Sequence, residues 1–108
     1  MSPIVGTYTN SALNATLVIS NADDSTGSIS GTLTVNGAKW NISGVWNTST
    51  MTPNAVFFFW GSNGNPTVVV AGTGASTNFQ TFANTNISIS FATTGGVVNS
   101  ISGSFVRS

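Results

Sequence analysis

Apolar side chains in this chain recur at every second residue, a spacing that confines it to half-buried β-strands. In 28–35, Ile29, Leu33 and Val35 share a face with Gly31, while Ser28, Ser30, Thr32 and Thr34 take the other. Asn36-Gly37 follows at once. That pair favours a two-residue type I′ turn, whose central positions both need positive φ. Beyond it the alternation resumes, with Trp40, Ile42, Gly44 and Trp46 set against Lys39, Asn41, Ser43 and Val45. Together these segments predict a β-hairpin.

The same reading predicts further strands near 5–9, 15–20, 55–60, 67–73, 86–92 and 98–107. The links between them, at 10–14, 21–27, 47–54, 61–66, 74–85 and 93–97, are polar or glycine-rich and within ordinary loop lengths. No segment sustains helical spacing. The three prolines fall in links or near the start, where a missing N–H breaks no ladder. A chain of 108 residues has room for one domain, 1–108.

Eight sequential strands with short links predict an all-β, up-and-down antiparallel meander. Charge then decides how its edges are handled. Only Asp23, Asp24, Lys39 and Arg107 are charged, so little is available to guard an open sheet edge. Closure into an eight-stranded barrel removes the edges and leaves an interior that side chains fill or one small ligand occupies. A two-sheet sandwich is the competing arrangement, since strand spacing alone does not separate the two.

The same composition excludes much chemistry. His and Cys are absent and the two carboxylates are adjacent. The chain cannot build a Ser-His-Asp or Cys-His triad, a Cys/His zinc site or a separated carboxylate pair, so no enzyme and no cofactor are expected. A formal net charge of zero, with no basic cluster, gives nucleic acid and anionic membranes no electrostatic attraction. The first residues lack a basic and apolar leader, so either a cytosolic protein or a secreted one with its signal peptide removed is expected.

The order of motifs resembles the avidin and streptavidin family. Gly6-Thr7-Tyr8-Thr9-Asn10 is similar to that family's opening Gly-Thr-Trp-x-Asn strand, and Gly31-Thr32-Leu33 to the Gly-Thr-Tyr of its third. Phe59-Trp60 resembles the Trp-bearing fifth strand, Ala71-Gly72 the Thr/Ser-Gly of the sixth, and Phe105-Val106-Arg107 the closing Phe-Thr-Lys/Arg. The likeness runs through the whole chain and implies an avidin-like barrel with its biotin pocket at one open end. It implies ureido contact for Asn10, a pocket wall for Trp60, a first-loop polar contact for Asn14, and a sulfur contact for Thr67 or Val68. Leu33 stands where the family has a Tyr donor, Gly103 where it has Asp or Asn, and two further Trp positions have no counterpart. Each lost partner of a buried polar group costs about 1–3 kcal/mol, so the resemblance implies weakened biotin binding.

Several of these residues also have plainer readings. The run Val56-Phe57-Phe58-Phe59-Trp60 reads as a strand covered on both faces, by the interior and by a subunit contact, which predicts a homodimer or homotetramer. Trp40 and Trp46 read as core or barrel-end plugs, or else as platforms that stack on a sugar ring. Asn10 suits a strand end or turn. Asp23-Asp24 reads as a turn, without the spaced acidic pattern of a calcium loop. The Ser and Thr rows of 28–34 and 100–104 read as a solvated sheet face, or as hydrogen-bonding groups inside the barrel.

The leading expectation is a non-catalytic barrel holding biotin or another small neutral ligand at its open end, between Asn10, Asn14, Trp60 and Thr67. The alternative is a lectin, whose neutral Asn, Ser, Thr and Trp groups meet sugar hydroxyls and C–H patches. A surface-adsorbing protein using flat Ser/Thr rows is a third possibility.

Overall fold

In the computed structural model, residues 4–47, 55–63, 68–76, 82, 84–92 and 98–107 are described. The strands are β1 (Gly6–Asn10), β2 (Ala15–Ala22), β3 (Ser28–Val35), β4 (Ala38–Trp46), β5 (Ala55–Asn63), β6 (Val68–Ser76), β7 (Asn84–Ala92) and β8 (Val98–Arg107). Each pairs antiparallel with the next, and β8 returns to β1, so the sheet closes into an eight-stranded barrel. Closure excludes the two-layer sandwich.

The central hairpin forms as its turn chemistry dictates. Asn36 and Gly37 both have positive φ, at 50° and 86°, and Val35 pairs with Ala38 across the turn. In the 23–27 loop, one Asp23 carboxylate oxygen accepts hydrogen bonds from Ser25 N (2.8 Å), Ser25 Oγ (2.6 Å) and Thr26 N (3.2 Å). Those bonds hold the Asp23 carboxyl below its usual range and tie it to a turn.

Two expected links are shorter than their glycines suggested. β5 runs on through Gly61, and β6 continues through Gly74 to Ser76, while β7 begins at Asn84. These glycines are strand residues at points of close approach. A β-carbon at Gly61 would stand 2.3 Å from the Asn41 carbonyl oxygen, and one at Gly74 would stand 2.1 Å from the Phe57 ring. Glycine inside a strand often marks such an approach.

Among the described residues the seam between β1 and β8 is the shortest ladder, pairing Tyr8 with Arg107 and Thr9 with Val106. Side chains extend it at both ends. Asn10 Nδ2 donates to the Ser104 carbonyl (3.1 Å), and the Arg107 guanidinium donates to the Val5 carbonyl.

Candidate functional site

Period-two alternation sends one set of side chains inward and the other out. The inward set packs the lumen with Leu17, Ile19, Leu33, Phe57, Phe59 and Phe105, all fully buried. Around them the aromatic rings touch in series. Tyr8 lies 6.5 Å from Phe57 and 6.3 Å from Phe82, Phe82 lies 6.2 Å from Trp46, and Trp40 meets Phe91 at 5.8 Å. Tyr8 Oη donates to the Ile4 carbonyl at 2.6 Å, and burial pushes its pKa up to about 12 against the opposing pull of the Arg107 charge. A ligand at the centre of this lumen would have to displace those rings. Among the described residues it is these side chains that occupy the interior an eight-stranded barrel encloses.

Asn10 and Asn14 lie at the barrel end that carries the Asn36-Gly37 turn, and both are engaged by their own chain. Asn10 Oδ1 accepts from Leu13 N (3.0 Å) while Nδ2 reaches Ser104. A β-carbon at residue 103 would stand 2.8 Å from that amide nitrogen, so Gly103 makes the room Asn10 uses. Asn14, at φ 51°, donates from Nδ2 to Asn36 Oδ1 (3.2 Å), and Asn36 N donates back to the Asn14 carbonyl (3.0 Å). The two asparagines thereby join the first turn to the central hairpin.

Trp60 is not beside them. Phe57 and Phe59 take the inward positions of β5, so Val56, Phe58 and Trp60 project from the outer wall. The pocket wall expected of Trp60 is corrected accordingly. Trp40 and Trp46 are the reverse case: both are buried as core plugs, at 3% and 6% exposure, which leaves neither indole face for a sugar. Thr67 lies outside the described residues.

The outer wall has its own geometry. Phe58 and Trp60 are each 48% exposed, and their rings stand 5.8 Å apart at 32°. Beside them an open concavity of about 600 Å³ spans β5 to β8, rimmed by Thr73, Ser88, Ser90, Ser100 and Ser102. Ser90 and Ser100 share a 3.0 Å hydroxyl–hydroxyl bond. On the other side of Trp60, a second concavity of about 510 Å³ spans β2 to β5, edged by Asn21, Ser30 and Ser43. Trp60 is a ridge common to both.

The site this brings together is therefore Phe58 and Trp60 with flanking serines. Trp60 was legible as a candidate, on the wrong side of the wall; Phe58 and the serines of β7 were missed. The signal that could have found them is the β5 parity itself: in a five-residue apolar run, either Phe57 and Phe59 or Val56, Phe58 and Trp60 must face out. Among the described residues no group of three His, Cys, Asp or Glu side chains comes together to hold a metal. Comparisons with family models, curated proteins and solved structures return no match for this chain.

Proposed function

We propose that this protein is a non-catalytic carbohydrate-binding barrel, and that its site is the outer wall around Phe58 and Trp60. The observation that carries the reading is two adjacent aromatic rings, half exposed, beside a concavity rimmed with serine and threonine hydroxyls. A large ring presented to water offers a flat apolar face to the C–H patches of a sugar. Hydroxyls both donate and accept, as sugar hydroxyls do. Strands fix these groups rigidly, which lowers the ordering cost of a weak polar ligand.

Neutral sugars titrated against intrinsic fluorescence test the reading, because Trp60 is the exposed indole while Trp40 and Trp46 are buried. Binding should change the emission and vanish in Trp60→Ala. A folded protein that responds to no neutral sugar refutes it. A small guest of biotin type at the barrel mouth has less support, since Asn10 and Asn14 are already hydrogen-bonded and Trp60 faces away.

The second reading is self-association through the same wall. Val56, Phe58, Trp60 and Val69 stand between 48% and 58% exposed on β5 and β6, and a contiguous apolar stripe of that kind is a common interface. Sedimentation velocity across a concentration series tests it, with Phe58→Ser expected to dissociate any dimer.

A further inference from the structure

The cross-strand register arranges the outer wall into two lateral rows. One runs through Ser30, Ser43, Trp60, Ala71, Ser90 and Ser100, each the direct partner of the next. The other runs through Val45, Phe58, Thr73, Ser88 and Ser102. The first row places Trp60 near its middle with serine hydroxyls at both ends; the second sets Phe58 next to Val45, with its hydroxyls on β6 to β8.

Resting on the carbohydrate reading above, we propose that the ligand is a linear neutral polysaccharide lying across the strands, with one sugar on the Phe58–Trp60 platform and its neighbours on the serines either side. Three observations select this over a single sugar. First, neighbouring strands are about 4.8 Å apart, so the path from Ser30 over Trp60 to Ser100 covers roughly 24 Å measured around the curved wall, several sugar rings for a chain that bends with the barrel. Second, the concavities on the two sides of Trp60 open onto the same indole, which gives a chain somewhere to go in both directions. Third, neither Lys39 nor Arg107 lines either concavity, and Asp23, at the edge of one, is turned to its own loop by Ser25 and Thr26. An uncharged hydroxyl lattice suits an uncharged polyol; an anionic or cationic glycan would find no counter-charge to offset its desolvation.

The β2 bulge contributes to the layout. The β2–β3 register shifts between Ile19 and Asn21, so Asn21 pairs with Ser30 and sits beyond it on the same outer row. Bulges re-aim side chains in this way.

The experiment is calorimetry with three ladders of glucose oligomers, α-1,4-, β-1,3- and β-1,4-linked, from one to six units, alongside pull-down on the parent polysaccharides. For at least one linkage the affinity should rise tenfold or more between the monosaccharide and the tetrasaccharide. Ser30→Val and Ser100→Val, at the two ends of the row, should each weaken the hexasaccharide at least threefold and by a larger factor than they weaken the disaccharide. Affinity that is flat with length, or end variants without effect on the hexasaccharide, overturns the polymer and leaves the carbohydrate reading standing. No response to any of these glucans overturns the polymer, no response to the neutral sugars of the fluorescence titration as well overturns both, and a dimer in sedimentation that Trp60→Ser disperses would then assign the wall to a second copy of the chain.

Discussion

The ring of Phe57 lies across Gly74 in the next strand, its Cζ 2.1 Å from where a β-carbon at 74 would stand. Phe59 does the same over Gly72, at 2.4 Å. Two phenyl rings can share the lumen because the strand opposite carries no side chains at these two inward positions.

Gly74→Ala forces a methyl into that ring. Overpacking of this kind costs about 1–3 kcal/mol, so the urea midpoint should fall clearly. Gly37→Ala meets no atom within 4 Å, and its penalty comes from φ +86° alone; roughly 1 kcal/mol is expected there. A larger loss at 37 than at 74 would contradict the packing described.

Tyr8 is the only tyrosine in the chain, so absorbance at alkaline pH reads it directly. Its native midpoint should lie near 12, displaced upward from 10 by burial. The fold favours the neutral phenol. That stabilisation is full below pH 10 and is lost as pH rises from 10 to 12, at up to about 1.4 kcal/mol per pH unit. Tyr8→Phe should abolish this alkaline slope and cost about 1–2 kcal/mol at neutral pH, because the Ile4 carbonyl loses its partner. A native tyrosine that titrates at 10 defeats the prediction.

Asn10→Ala removes the bonds to Leu13 N and the Ser104 carbonyl together. Stability should drop by about 1–2 kcal/mol, and amide exchange at Leu13 should accelerate. Gly103→Ala, which meets only the end of the Asn10 amide and the tip of Leu13, should cost less than Gly74→Ala.

Trp60→Ala should change stability by less than about 1 kcal/mol, as surface substitutions do, while eliminating sugar binding. Trp40→Ala should cost about 3–5 kcal/mol, as expected for a large aromatic removed from a core. Thermal melts of the two variants side by side separate the exposed indole from the buried one.

The strand count, the antiparallel order and the Asn36-Gly37 turn were legible in the sequence alone, because period-two alternation and turn residues act over a few positions, whereas the face each strand turns inward was left to the closed sheet. The run 56–60 shows where that reach ends. Every residue in it is apolar, so alternation is silent about which face meets the core, and only closure of the barrel turned Phe57 and Phe59 inward and Trp60 out. Glycines are the other case: Gly61 and Gly74 look like loop residues until a neighbouring backbone or ring is seen pressing on them. Tertiary structure likewise decided that the rings of Phe57, Phe59 and Phe105 share the lumen and that serines from distant strands stand level with Trp60, since both facts depend on register between segments that the chain brings together only when it closes.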